Sequence, residues 1–131
     1  MRTLQGRKAL LLLTDGVDTA SRTTLTEAIE HARRSDTAVY SILYSESGRA
    51  ASPKGLYILN ELALGTGGTC FTVTPDRTLE QILADIEAEW TAQYSIGFTP
   101  AVDASGEYRK LSLRTTGNRF VVHTRDSYFA R

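Results

Sequence analysis

The chain has 131 residues, 41% of them hydrophobic, which suffices for one domain with a core and is too little for two ordinary domains. Fifteen basic and fifteen acidic side chains cancel, so no charge excess favours nucleic acid or an anionic membrane surface as a partner. The single cysteine, Cys70, excludes an internal disulfide and a multi-cysteine metal site. No segment approaches the roughly 18 uninterrupted apolar residues of a membrane span.

The first elements in chain order are an apolar strand, an amphipathic helix and a second strand. Residues 8–14, KALLLLT, form a short apolar run of the kind found in parallel strands that are covered on both faces. Thr24 and Glu27 have the spacing of a capping box, which predicts a helix over 23–34. The segment 38–44, AVYSILY, is rich in strand-forming residues and predicts the second strand.

The next elements continue this alternation. Apolar spacing predicts a short helix over 56–64, which the glycines of segment 65–68 end because they adopt positive φ at low steric cost. A third strand follows over 69–73, and a helix over 78–92 begins with a second capping box, TLEQ. The order β-α-β-α-β-α predicts an α/β fold: part of a doubly wound, Rossmann-like parallel sheet with right-handed crossovers.

The pattern changes to period two after Gln93. The segments YSIGFTP, EYRKLSLRTT and RFVVHTRDSYF each alternate apolar and polar residues, and Gly117-Asn118 suits a tight hairpin turn between the last two. We therefore expect a three-stranded antiparallel extension over 94–131. It would pack on the α/β part, residues 1–93, as one compact unit.

Oxygen-bearing side chains cluster where the first strand ends. Thr14 and Asp15 come directly after the apolar run, and Asp18, Thr19 and Ser21 follow in the next loop. Loops at the carboxyl ends of parallel strands are the usual ligand sites of such sheets. Carboxylates and hydroxyls suit a hard divalent cation. The alternative is that these residues only shape a turn and cap the following helix.

Several segments together resemble a known family. TDGVDTAS after an apolar strand, the glycine-rich LGTGGTCF and the tail QYSIGFTP...GEYRKLSLRT are similar to the C-terminal half of a von Willebrand factor type A (VWFA) domain. The tail in particular resembles bacterial, including acidobacterial, VWFA-related proteins. The resemblance covers nearly the whole chain.

The resemblance implies a protein-binding, adhesion-type domain with no enzymatic activity. Its metal-ion-dependent adhesion site uses an Asp-x-Ser-x-Ser loop, a threonine from a middle loop and the aspartate of Thr-Asp-Gly, here Asp15. Asp-x-Ser-x-Ser does not occur in this sequence. We therefore expect the chain to begin just before the family's fourth strand. The resemblance implies an intact parent that binds Mg²⁺ or Ca²⁺ and acts outside the cytoplasm, whereas no metal is expected to bind tightly to this chain.

The resemblance also places the first strand of this chain at the centre of the family's sheet. In this chain we expect one edge of that apolar strand to be left open. The hypothesis that follows is a homodimer through residues 9–14, which would cover the edge.

Two functions from other classes remain open. DGVDT, residues 15–19, is similar to the Asp-x-Asp-x-Thr of the haloacid dehalogenase class, which suggests an Mg²⁺-dependent hydrolase or phosphotransferase with Asp15 in the site. The spacing of the two aspartates differs by one residue, and no lysine or acidic loop completes that chemistry. The other candidate is a purely structural assembly module. His31, His123 and Cys70 have no partner at ligand spacing and are interpreted as surface or packing residues.

Overall fold

The computed structural model describes residues 8–15, 22–44, 52–99, 106–117 and 119–129. The elements are β1 (Lys8–Thr14), α1 (Leu25–Arg34), β2 (Thr37–Leu43), α2 (Pro53–Thr66), β3 (Cys70–Thr72), α3 (Leu79–Thr91), β4 (Tyr108–Lys110) and β5 (Ser127–Phe129). This order confirms the predicted α/β alternation.

A three-stranded parallel sheet with the order β1-β2-β3 forms the centre of the fold. Leu11 of β1 lies opposite Tyr40, and Ser41 of β2 lies opposite Cys70 of β3. Every residue of β2 from Ala38 to Leu43 is buried. The middle strand is therefore the core of the molecule, as expected for a parallel sheet that carries helices on both faces.

One face of the sheet is covered by α3. Its two inward isoleucines are Ile82, which is fully buried, and Ile86. Alternate residues of β2 point toward this helix because side chains in a strand alternate between the two faces. The resulting core cluster consists of Ala38, Tyr40, Ile42, Phe71, Ile82 and Ile86.

The other face is covered by α1 and α2, which contact β2 and each other. Leu59 and Ala63 are the buried apolar residues of α2. Thr66, at the end of this helix, accepts a hydrogen bond from the Val39 N–H at 2.9 Å and donates one to the Leu62 carbonyl. The hydroxyl thus fixes the end of α2 to the middle strand without leaving a buried polar group unpaired.

The helix starts follow local sequence signals. Both predicted capping boxes are present, at Thr24 with Glu27 and at Thr78 with Gln81. The second helix begins at Pro53, earlier than the predicted residue 56. Ser52 accepts a hydrogen bond from the Gly55 N–H, and a proline in the first turn needs no hydrogen-bond donor of its own.

The strand β1 is at the sheet edge and is only partly covered. Leu10, Leu11 and Leu13 are 52%, 47% and 54% exposed. The apolar run suggested a strand covered on both faces, and this is not what the structure has. The helices pack over β2, so they leave the leucines of β1 at the margin of both faces.

The predicted three-stranded antiparallel extension is wrong in its number of strands. In the described part of the tail, β4 and β5 form a two-stranded antiparallel sheet, with Tyr108 opposite Phe129 and Lys110 opposite Ser127. The segment 94–99 is described but is not a strand. Tyr94, Ile96 and Phe98 in it are 87%, 62% and 55% exposed.

The residues just before β5 contact the α/β part of the chain. Arg125 forms an ion pair with Asp36 at 2.5 Å, and Asp126 forms one with Arg33. His123 lies within hydrogen-bond distance of Thr69. These side-chain contacts hold the residues before β5 against the α/β part, and the Asp126 carbonyl also accepts the Leu111 N–H at 2.7 Å, one hydrogen bond beyond the paired residues.

Candidate functional site

The predicted ligand-binding edge is formed by the carboxyl ends of the three parallel strands. The Tyr44 N–H donates to the Thr14 carbonyl at 2.9 Å, and the Val73 N–H donates to the Leu43 carbonyl at 2.9 Å. Asp15 directly follows β1 and is exposed. The structure therefore places Asp15 at the carboxyl edge of a parallel sheet, beside the end of the middle strand.

The same edge carries the N-termini of the helices, because each helix runs back against the preceding strand. Thr24, Ser52 and Thr78 cap these three N-termini. The Glu27 carboxylate accepts the Thr24 N–H at 2.7 Å. This backbone hydrogen bond and a second one from the Thr24 hydroxyl lower the pKa of Glu27 below its usual value.

The structure describes two of the five candidate ligands, Thr14 and Asp15. Thr14 is half-buried and Asp15 is exposed, and the two are adjacent at the end of β1. Asp18, Thr19 and Ser21 lie outside the described residues. The structure thus positions the first two oxygen-bearing side chains of the predicted site.

The donor types fit a hard cation, but the described residues do not complete a coordination shell. Mg²⁺ takes about six oxygen ligands in octahedral geometry, and Ca²⁺ takes about six to eight. Among the described residues, no group of three or more His, Cys, Asp or Glu side chains could hold a metal ion. Asp15 and Thr14 offer one carboxylate and one hydroxyl. The described part of the edge can therefore contribute ligands to a cation site and cannot form one alone.

A depression lies between α2 and β3, the outer strand on the other side of β2 from β1. The sequence predicted no site there. The depression, of about 380 Å³, is lined by Pro53, Leu56, Tyr57, Asn60 and Cys70. Burial raises the pKa of the Cys70 thiol, which keeps it protonated and makes it a poor nucleophile. Four of the lining residues share one stripe of α2, at the spacing i, i+3, i+4 and i+7, and Cys70 comes from β3. The depression forms only when α2 packs on β3, which the spacing alone does not predict.

A polar cluster joins three elements at the amino edge of the sheet, opposite to Asp15. The Thr69 hydroxyl donates to the Glu89 carboxylate of α3 at 3.2 Å and lies 3.4 Å from His123 Nδ1 in the tail. The hydroxyl proton is directed to Glu89 rather than to the imidazole. The cluster therefore connects the tail and α3 to the residue that precedes β3, and His123 itself is exposed, which fits the surface alternative for this residue.

Comparisons with known proteins assign no family. No family model and no curated protein matches this chain. The chain is similar to a solved structure described as the crystal structure of an uncharacterized membrane spanning protein from Vibrio fischeri, with 23% sequence identity and a TM-score of 0.48. The match covers 66% of this chain and 47% of that chain, so it spans less than half of the longer protein. A likeness this distant transfers no activity. Within the described residues, no helix is long and apolar enough to cross a membrane.

Proposed function

We propose that this chain is the C-terminal half of a VWFA-like protein-binding domain whose intact form holds a divalent cation at the carboxyl edge of its sheet. The observation that carries the proposal is the position of Asp15. It stands immediately after the parallel strand β1, in a sheet of order β1-β2-β3 that has helices on both faces. Thr-Asp-Gly is the motif that contributes the aspartate in the resembled family.

The cation would be Mg²⁺ or Ca²⁺, because the candidate ligands are oxygen atoms. Asp15 would bind the cation directly or through a water molecule, and Thr14 is a secondary candidate ligand. Asp18 and Ser21 are secondary candidates. An acidic group of a protein partner would take the remaining coordination position, so the activity proposed is binding and not catalysis. The parent protein would act outside the cytoplasm, as many proteins of the resembled group do.

The isolated chain should bind Mg²⁺ weakly, because one carboxylate leaves most of the shell to water. We expect a dissociation constant above about 10⁻³ M, the weak end of oxygen-ligand sites. Calorimetric titration with MgCl₂ should give a weak signal that Asp15→Asn removes. Glu87→Gln in α3 removes the same charge from an exposed helix position and should leave the signal unchanged. A signal that survives Asp15→Asn would contradict the proposal.

The genomic DNA upstream of the Met1 codon gives an independent test. The proposal expects an in-frame Asp-x-Ser-x-Ser in that DNA. A product that includes this segment should bind Mg²⁺ more tightly than the chain alone, because further oxygen ligands complete the octahedral shell. An upstream reading frame without that motif would count against the VWFA assignment.

The same variants separate the two alternative functions. Hydrolysis of a generic phosphate ester that requires Mg²⁺ and is lost in Asp15→Asn would favour a hydrolase or phosphotransferase. If the folded protein shows no metal binding and no hydrolysis, a structural assembly module is favoured. We also infer that protein partners include a second copy of the chain, bound through residues 9–14 of β1.

A further inference from the structure

The described part of the tail, residues 94–99, 106–117 and 119–129, adds no residue to the buried core. Every buried residue of the described chain lies between Ala38 and Ile86. Apolar side chains of the tail remain in solvent, with Phe120 72% and Val121 83% exposed. Burial of apolar surface is the main term that holds the elements of a domain together. The attachment of the tail to the α/β part therefore depends on other contacts.

Two ion pairs attach the tail to the end of α1. Arg125 contacts Asp36 at 2.5 Å, and Asp126 contacts Arg33. Two neighbouring tail residues of opposite charge thus meet two residues of opposite charge in the α/β part. The reversed register would place arginine beside arginine and aspartate beside aspartate, where like charges repel. The order of the charges therefore selects one orientation of the tail.

The residues that receive the tail are held by the α/β part itself. Arg33 Nε donates to the Gly65 carbonyl at 2.6 Å. The Asp36 carbonyl accepts the Lys8 N–H at 3.2 Å, and the Asp36 N–H donates to the Arg33 carbonyl at 3.1 Å. None of these hydrogen bonds involves a tail residue, so the receiving surface keeps its contacts when the tail leaves.

The tail likewise has contacts of its own beside the two ion pairs. The Asp126 carbonyl accepts the Leu111 N–H at 2.7 Å, and the Ser127 hydroxyl donates to the Asp126 carboxylate at 3.0 Å. Phe98 packs edge to face on Tyr128, with ring centroids 5.2 Å apart. Separation of the tail from the α/β part breaks none of these contacts.

Two further contacts described across this boundary add little apolar burial. The Thr69 hydroxyl and His123 Nδ1 are 3.4 Å apart, which is long for a hydrogen bond. The tail backbone also passes over the C-cap of α2, where a Cβ on Gly67 would be 3.0 Å from the Arg125 backbone nitrogen. This approach matches two backbones in shape. The ion pairs therefore provide the main attraction that is specific to the docked tail.

We propose that the tail is a strap that ionic strength releases: it leaves the end of α1 as a unit while the α/β part stays folded. Each ion pair has one partner that is half or more exposed. Such a pair contributes up to about fivefold to an equilibrium, the equivalent of about 1 kcal/mol. Two pairs thus favour docking by up to about 25-fold. An opening of this low free energy is a local event and not global unfolding.

Salt weakens this preference because it screens the charges. The screening length falls from about 10 Å at 0.1 M salt to about 3 Å at 1 M. Release uncovers the amino edge of the sheet, where Arg33, Asp36 and Thr69 become accessible. Asp15 lies at the opposite, carboxyl edge. The strap is therefore independent of the proposed cation site, and Asp15→Asn should leave its docking unchanged.

Paramagnetic broadening measures the docked population. In a Cys70→Ser background, a nitroxide on Arg34→Cys, an exposed position next to Arg33, should broaden the amide signals of residues 124–127. The Lys8 amide, which donates to Asp36, is the internal reference for a folded α/β part. Raising NaCl from about 0.1 M to about 1 M should reduce the broadening of the tail signals about twofold and leave that of Lys8 unchanged. Tail signals that stay broadened at the higher salt, or that recover only together with Lys8, overturn the proposal.

A double-mutant cycle tests the ion pair itself. Arg125→Gln and Asp36→Asn each remove one partner, and asparagine tolerates the φ of 52° at position 36. Each variant should lower the ratio of docked to undocked tail by about two- to fivefold at low salt and should reduce its dependence on NaCl. The double variant should dock no worse than either single variant, because the pair is already broken. Arg114→Gln removes an exposed arginine from the same tail and should dock like wild type. Additive losses in the double variant, or an Arg125→Gln protein with wild-type docking, contradict the proposal.

Discussion

Arg33 of α1 forms an ion pair with Asp126, 93 residues further along the chain. The same guanidinium donates from Nε to the Gly65 carbonyl at the end of α2, at 2.6 Å. The Arg33 side chain is 17% exposed, and the Asp126 side chain is 66% exposed. Arg33 thus connects α1, the end of α2 and the C-terminal tail through one mostly buried side chain.

Arg33→Ala should lower the free energy of unfolding by about 2 kcal/mol, because the buried Gly65 carbonyl loses a charge-assisted hydrogen bond. The exposed ion pair itself contributes little, about 0–1 kcal/mol. Arg34→Ala is the matched control. Its guanidinium is exposed and lies 3.7 Å from Glu30, so we expect a loss of less than about 0.5 kcal/mol. Equal losses in urea denaturation of the two variants would show that Arg33 does not connect these elements.

Gly68 lies directly against the middle strand. A Cβ at this position would be 2.1 Å from the Val39 carbonyl oxygen, a distance that backbone atoms cannot relieve locally. Gly68→Ala should therefore destabilise the protein by about 3 kcal/mol or more, through overpacking. Gly97→Ala, where a Cβ meets nothing within 4 Å, should be nearly neutral. Thermal unfolding of both variants measures the difference, and a Gly68→Ala protein as stable as wild type would mean that α2 and β2 are not packed as described.

Ser41 is fully buried in the middle of β2, and its hydroxyl has no hydrogen-bond partner among the described residues. An unpaired buried hydroxyl is costly, so removing it is not expected to destabilise the fold. Ser41→Ala should leave the free energy of unfolding unchanged or raise it by up to about 1 kcal/mol. A loss of more than about 1 kcal/mol in chemical denaturation would reveal a hydrogen bond to Ser41 in the native protein.

The Glu27 carboxylate at the start of α1 makes the stability of the protein depend on pH. Its pKa is lowered from 4.5, first by the backbone hydrogen bond from Thr24 and then by the Thr24 hydroxyl. A lowered folded-state pKa contributes stability above the unfolded-state value, and this stability is lost as the pH falls through the folded-state value. Glu27→Gln should therefore reduce the loss of stability between about pH 5 and pH 3, a window around the usual glutamate pKa.

The control for this pH profile is Glu87→Gln, which removes one exposed carboxylate from a different helix. Denaturation midpoints measured at several pH values should show that Glu87→Gln loses as much stability at low pH as wild type does. If Glu27→Gln and wild type lose the same stability as the pH falls, the Glu27 carboxylate is not the cause of the acid sensitivity.

The sequence predicted those parts of the fold that depend on short-range signals. Thr24 and Thr78, each with an acceptor three residues later, located the starts of α1 and α3 to within a few residues. The apolar runs at β1 and β2 and the order of elements predicted the parallel sheet. Apolar spacing predicts a start of α2 at residue 56, later than the observed Pro53, because the Ser52 cap and the first turn precede the apolar stripe.

The tail could not be predicted from alternation alone. Period-two patterns in YSIGFTP and RFVVHTRDSYF are compatible with strands, but a ladder also needs a partner in register. The side chains of Asp126 and Arg125 bind Arg33 and Asp36, and the Asp126 carbonyl accepts the Leu111 N–H. The long-range ion pairs leave no local trace in the sequence. At the candidate site, the sequence predicted the place of Thr14 and Asp15 at the end of β1. The depression beside Cys70 depends on the packing of α2 on β3 and was therefore not foreseen.

We propose Asp15, at the carboxyl end of β1, as a ligand for a divalent cation. The most direct measurement is paramagnetic broadening of backbone amide signals by Mn²⁺, which detects weak sites and locates them. We predict that the amide signals of Asp15 and Tyr44 broaden first, and that Asp15→Asn abolishes this effect while Glu87→Gln does not. Broadening that is centred on other amide signals, or that persists in Asp15→Asn, would contradict this assignment.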